Sequence, residues 1–329
     1  MFDHIGISLF VGKSTPNLSN LTHTGNVWQG WQQYRIEGVC PLRVQYNPKL
    51  WELKISGSIP YLFRGHNYPA GTNDLREGID YISQIVGMNV FAGKVDTFEY
   101  GQFVHTPHKT KVLLANHNHL PGFKAHGYIN GASKYFESSA LRVKLYDARQ
   151  NFAHKIKGSP KEALQQDFGF KPDQSYLKVE NHYKKPQIYF KQAVLVADLF
   201  SSQFVNLCKE DLLTTYQRIQ KTPASAMPTN KKDLSASMLP LLVLKDLELQ
   251  YGFNTEELLI EKLKTMPEEV LTTEDRKARK RQLRKMLSLL MPETSNSPFD
   301  VSEQLRQALY NTEGGSAGQI PTALLNRER

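Results

Sequence analysis

Leu141-Arg142-Val143-Lys144-Leu145-Tyr146-Asp147 alternates apolar and polar side chains without a break, and its reading decides the fold. Successive side chains on a strand point to opposite faces, so Leu141, Val143 and Leu145 share one face and Arg142, Lys144 and Tyr146 the other. Two further stretches behave alike. Tyr176-Leu177-Lys178-Val179-Glu180-Asn181-His182 puts Lys178, Glu180 and His182 on one face, and Lys94-Val95-Asp96-Thr97-Phe98 carries a carboxylate in mid-strand. If the three strands lie in one sheet, a tyrosine, two carboxylates and several cations line a single surface.

Outward from these stretches, the first two hundred residues read as strands with few helices. His4 to Val11 predicts a first strand, and Trp51 to Gly57 alternates with Trp51, Leu53 and Ile55 inward. A helix opens at Thr72, because Asp74 with Glu77 three residues on forms a capping-box pattern. Leu75, Ile79, Ile82 and Val86 continue it at helical spacing, Gly87 stops it, and a strand from Val90 to Phe98 follows. Ala163 to Gln166 fits a short helix that Gly169 breaks. Beyond about residue 190 the period becomes helical: 194–213, 234–251, 255–266, 274–291 and 301–310, with breaks at 221–233 and 292–298. The expected class is α+β. A central antiparallel sheet forms a domain over 1–205, a smaller, basic, mostly helical domain spans 206–312, and a flexible tail covers 313–329.

The 329 residues hold 41 Lys and Arg against 32 Asp and Glu, a net charge of +9 that favours polyanionic partners through counterion release. Cys40 and Cys208 are far apart and lack CxxC spacing, so neither a disulfide framework nor a zinc knuckle follows, and a reducing cytoplasm is expected. No signal peptide is visible, and the longest apolar runs fall well short of the roughly 20 residues that span a bilayer. No membrane partner is expected.

A tyrosine at a strand end ordinarily packs, and a phenol of pKa about 10 is a poor nucleophile. Lys144 and Arg142 on the face of Tyr146 would favour the phenolate and stabilise charge building on a phosphate. Attack by tyrosine keeps the phosphodiester energy in a covalent phosphotyrosine, so cleavage is reversible. Asp96 and Glu180 occupy mid-strand positions where acids are depleted. They mark either the solvent face of a sheet or oxygen ligands for Mg2+ or Mn2+, which polarises a scissile phosphate. His117 and His119 share a face and suggest a metal pair, although a polar loop is the plainer reading. Seven cations lie between Arg276 and Lys285, and Leu283, Met286, Leu287 and Leu290 give that helix an apolar seam. Arg279, Lys280 and Arg284 are then presented outward for phosphate-backbone contact.

Several segments taken in order resemble a known family. Gly65-His66-Asn67 followed by Gly71-Thr72-Asn73-Asp74-Leu75 is similar to the GHN…GT-x-DL segment of filamentous-phage replication initiators of the gene-two/X type. Glu52 to Ser56 resembles the strand before it, and Val95-Asp96-Thr97-Phe98 the RIDATF-like strand. Gly127 to Lys134 with Leu145-Tyr146-Asp147 resembles a region shared with plasmid Rep_trans rolling-circle initiators, and Leu177 to Glu180 the LRFE strand. The resemblance runs collinearly from about residue 50 to 190. It implies strand-specific nicking at a double-strand origin through a covalent phosphotyrosine, leaving a 3′-hydroxyl primer, with later rejoining. It implies Tyr146 as nucleophile, Asp96 and Glu180 as ligands of Mg2+ or Mn2+, and Lys134 and Lys178 as further DNA contacts. It also implies host helicase and polymerase as partners, in a bacterial cytoplasm. The family's lysine two residues after the tyrosine is Ala148 here, leaving Lys144 or Arg149 to supply that cation. Two other readings compete: a non-catalytic origin-binding regulator of the same fold, and a nickase whose metal is held by His117 and His119.

Overall fold

In the computed structural model, which describes residues 2–12, 14–64, 72–106, 108–127, 132–150, 175–221, 240–241, 243–244, 255–288 and 300–310, alternation is realised as one ten-stranded sheet. Its strands are β1 (Phe2–Phe10), β2 (Thr22–Trp28), β3 (Trp31–Ile36), β4 (Leu42–Asn47), β5 (Glu52–Ser58), β6 (Lys94–Thr106), β8 (Lys124–Gly127), β9 (Ser133–Glu137), β10 (Leu141–Asp147) and β11 (Ser175–Tyr183). They lie in the order β2-β3-β4-β5-β1-β6-β11-β10-β9-β8, and every pairing is antiparallel. A two-stranded pair, β7 (His117–His119) with β12 (Gln220–Lys221), stands apart. The three alternating stretches are neighbours in β6, β11 and β10. The α+β class holds.

The helices fall into two groups, one packed with the sheet and one apart from it. They are α1 (Ile59–Arg64), α2 (Thr72–Val86), α3 (Thr110–Asn116), α4 (Pro186–Tyr189), α5 (Ser202–Gln217), α6 (Thr255–Thr265), α7 (Thr273–Ser288) and α8 (Ser302–Tyr310). Ile79 and Ile82 of α2 are fully buried with Ile5, Phe98, Val143 and Val179 of the sheet. Gly87 ends α2 in the left-handed region at φ +66°, where a side chain would be strained. No helix among the described residues is long and apolar enough to cross a membrane.

Several boundaries differ from expectation, and the helix expected over 194–213 is a 3-10 turn at Val196–Phe200 followed by α5 at Ser202–Gln217. The first strand begins at Phe2 rather than His4, and Val90–Ala92 form a 3-10 turn capped by Asn89, so β6 starts at Lys94. The expected division at 205/206 falls inside α5. Phe204, Cys208, Leu212 and Tyr216 of that helix share the sheet's core with Leu305 and Leu309 of α8. Helical periodicity marks a helix but not what it packs on. Leu241 and Leu287 belong to a separate small cluster that α6 and α7 join through Leu259, Leu283 and Met286. The Gly65–Gly71 part of the resemblance, the expected elements at 163–166 and 234–251 (most of the latter), the break at 292–298 and the tail at 313–329 lie outside the described residues.

Candidate active site

Two bulges prepare the polar face. The pairs Phe2–Tyr100 and Ile5–Phe98 leave Asp3 and His4 together opposite Glu99. This extra residue lets Phe2 stay against Phe98 and Tyr100 while the Asp3 carboxylate reaches the other face. Pairing in the middle of the sheet does the rest: Lys144 lies opposite Glu180, Tyr146 opposite Lys178, and Glu180 opposite Gly101. A Cβ on Gly101 would stand 2.9 Å from the Val179 carbonyl oxygen and 3.1 Å from the Glu180 Cβ, so glycine leaves Glu180 its room.

At the centre, Lys178 and Glu180 are each 1% exposed. Lys178 Nζ donates to Glu180 Oε2 at 2.7 Å and to Asp3 Oδ2 at 3.0 Å. Lys144 Nζ lies 2.8 Å from Glu180 Oε1 and also donates to Glu99 Oε1. The Tyr146 hydroxyl donates to Glu180 Oε2 at 3.2 Å. Ser58 Oγ donates to Asp3 Oδ1 at 2.6 Å, and His182 Nε2 lies 2.9 Å from the Thr97 hydroxyl. One oxygen each from Asp3, Glu99 and Glu180 falls within 4.8 Å of the others.

Electrostatics divides these groups. Burial alone would raise Glu180, but Lys178 and Lys144 outweigh it and hold its carboxyl well below the usual range. Glu99 goes the other way: burial and then the Glu180 charge push it up to about 7 despite Lys144. Burial, followed by Glu180, also raises Tyr146 well above the ordinary phenol value. Three carboxylates against two ammonium groups leave one negative charge in surplus, which adds to the burial that favours a proton on Glu99. A divalent cation would meet the same need. The donors are hard oxygens, the kind Mg2+ and Mn2+ prefer.

Neither a protein-family model nor a curated protein matches the chain.

The residues singled out in the sequence divide into those the fold gathers and those it scatters. Tyr146, Lys144 and Glu180 meet. Asp96 does not join them: it is the extra residue of a second bulge, between the pairs Gly6–Thr97 and Ile7–Val95. Its Oδ1 accepts from Ser8 Oγ at 3.1 Å and lies 3.9 Å from Lys94 Nζ. Gly101, which faces Glu180, is five residues further along β6, roughly 16 Å away at strand rise. The carboxylates that do meet Glu180 are Asp3 and Glu99. Glu99 was legible as the next residue in step with Thr97 on β6, whereas the bulge at Asp3 hides its face from any period-two count.

Four cation assignments change as well. Lys178 is buried and bound to two carboxylates, so it is not a surface for DNA. Lys134 pairs with Leu145 and therefore leaves the sheet on the apolar face, opposite Tyr146. Lys144 is engaged by Glu99 and Glu180, and Arg142 Nη2 donates to Glu137 at 2.7 Å, so the phenolate expected from these neighbours is replaced by a neutral phenol that donates to Glu180. Arg149 is exposed just beyond β10. On α7, Arg279 and Arg284 are exposed and Lys280 half-buried, with Arg284 Nε donating to Glu256 Oε1 of α6 at 2.8 Å.

His117 is neither a metal ligand nor part of a polar loop. Its Nδ1–H donates to the Leu113 carbonyl at 2.6 Å, and Nε2 accepts from the Tyr216 hydroxyl at 2.7 Å. The Val301 N–H in turn donates to that hydroxyl at 3.2 Å, so one relay ties α3, α5 and the start of α8 together. Burial holds the imidazole neutral, down to about 4. His119 lies on β7 opposite Gln220.

Proposed function

We propose that this chain is a metal-dependent, tyrosine-type DNA endonuclease and strand transferase that opens and rejoins one strand at a replication origin to start rolling-circle replication. The observation that carries the reading is the hydrogen bond from the Tyr146 phenol to Glu180, inside a cluster where Asp3 and Glu99 bring two more carboxylates. Asp3, Glu99 and Glu180 would hold Mg2+ or Mn2+. When bound, the ion supplies charge neutralisation and Lewis acidity at the scissile phosphate.

The protein's own groups carry the remaining steps. Tyr146 gives its proton to Glu180 Oε2, its oxygen bonds to phosphorus, and the P–O3′ bond breaks in line. The departing O3′ takes up the proton that left Tyr146, released by Glu180 and relayed through solvent, and becomes the primer hydroxyl. Reversal by another 3′-hydroxyl restores the phosphodiester and the free phenol. Lys144 and Lys178 hold Glu180 ionised as the acceptor. A primer 3′-hydroxyl and a displaced strand call next for a polymerase and a helicase of the host, within its cytoplasm.

One observation favours a second reading. Lys178 and Lys144 already pair with the carboxylates of the cluster, which suits a regulator that binds the origin on the same fold without cutting it. A supercoiled origin plasmid with Mg2+ or Mn2+ separates the two. The wild-type protein should nick it and form a covalent protein–DNA adduct, and Tyr146→Phe should do neither. Specific binding with no nicking under any divalent ion would establish the regulator instead.

A further inference from the structure

The face that carries Tyr146 continues, without changing sides, onto the wing of the sheet formed by β3, β4 and β5. Registered partners trace it across the strands: Arg35 lies opposite Arg43, Arg43 opposite Ser56, Ser56 opposite Gly6, and Gly6 opposite Thr97. Thr97 then bonds His182, which lies opposite Arg142 on β10. A parallel row runs Gln33, Gln45, Lys54, Ser8. Gly6 keeps the path low, since a Cβ there would meet the Thr97 methyl at 2.6 Å.

Arg35 directly opposite Arg43 is the informative pair. Like charges facing each other across an antiparallel pair destabilise a sheet. Arg35 is partly offset by Glu37, 3.4 Å away, while Arg43 has no carboxylate partner among the described residues. Two exposed guanidinium groups held side by side form a fork for phosphate oxygens. Aromatic surface lies at the same end. Trp28 and Trp31 face each other across a two-residue turn in which Gln29 and Gly30 both have positive φ, as a type I′ hairpin requires. Trp28 is 65% exposed, and Lys54 Nζ sits 4.5 Å over the Trp31 ring. Gln33 and Gln45, joined by a 3.0 Å hydrogen bond, lie between the tryptophans and the arginines.

We propose that this wing is a binding track for single-stranded DNA, with Arg35 and Arg43 taking backbone phosphates and Trp28 and Trp31 stacking bases. Cations that follow the backbone beside aromatic faces are the combination that holds single strands without reading their sequence. The proposal rests on the nuclease reading for its biological sense. Six strand spacings separate β3 from β10, about 29 Å, so a strand lying along the face would reach from the tryptophans to Tyr146.

The test is fluorescence anisotropy of a labelled thymidine oligonucleotide with the full chain, in EDTA and over a range of salt. Arg35→Gln with Arg43→Gln should weaken binding about tenfold near 0.15 M salt and lower the salt slope by about 1.4, two contacts at ~0.7 each. Trp31→Leu should weaken binding about tenfold while leaving the slope in place. Both arginines are exposed, so the double variant should melt with the wild type, which circular dichroism checks. Unchanged affinity and slope in the double variant would overturn the proposal. So would an equal loss for a duplex of the same length, or tighter binding of the matching uridine oligonucleotide. Cleavage does not enter this readout. Loss of binding through these residues in a protein that forms no tyrosine adduct would keep the track and remove the nuclease, and nicking with unchanged binding would do the reverse.

Discussion

Glu180 accepts from Lys144, Lys178 and Tyr146 at once, and that crowding sets what its loss should do. Glu180→Gln leaves a fully buried ammonium facing Asp3 alone, and breaking such a pair costs about 3–5 kcal/mol. Urea unfolding should read that loss, and adduct formation should vanish with it. His117 gives a separate signature. Its folded value of about 4 lies below the unfolded one, so the unfolded chain binds the proton first as pH falls. The stability His117 contributes should therefore decline from about pH 6.5 toward pH 4 and then level off, a loss on the order of 3 kcal/mol. Glu99, held up at about 7, takes its proton first in the folded chain and opposes that decline. Lys221, Lys134 and Asp300 surround the ring, with the lysines deepening the effect and the carboxylate opposing it. His182, lowered by burial in the same direction, adds to the slope. His117→Gln should remove its own share of this acid limb in unfolding measured across that range, and His119→Ala should leave cleavage unchanged.

Among the elements, α5 adds to its apolar packing on the sheet a set of hydrogen bonds centred on one side chain. Asp211 accepts from the hydroxyls of Tyr183 and Tyr189, each at 2.6 Å, and from Asn181 Nδ2 at 2.9 Å. Asp211→Ala strands those donors beneath the helix and should cost about 3 kcal/mol in chemical denaturation. Element type was largely legible in the sequence. Alternation in 141–147 and 176–182 identified two adjacent strands and the correct polar face of each, and the helix expected at Thr72 is α2, with Asp74 inside its first turn rather than at its cap. Register was not legible, because it depends on bulges that no period-two pattern announces. That is why Asp96 was paired with Glu180 on paper while Asp3 and Glu99 stand beside it in space. Lys134 was named from the resemblance alone, and its pairing with Leu145 turns it to the apolar side of the sheet. The packing partners of α5 and α8 were equally silent, since an amphipathic helix declares a buried stripe and not its destination.

At the scale of the molecule, cations on α7 and on the β3–β5 wing sit on elements with different cores beneath them. Replacing Arg279, Lys280 and Arg284 together by glutamine should lower duplex affinity and flatten its salt slope by up to about 2.7, three contacts at ~0.9 each. An unchanged slope in a filter-binding titration would show that α7 is only a solvated helix.

Asp3 and Lys178, bonded at the heart of the site, are 175 residues apart along the chain. The N-terminal strand waits between β5 and β6 for a strand that emerges from synthesis much later, and contacts of such long range form slowly. A nascent chain that has not yet delivered β11 has neither Glu180 nor the cation that holds Asp3. Under the proposed reading, the ability to cut DNA arrives only with the near-complete fold, so partial translation products of this protein would be harmless to the genome they share a cell with.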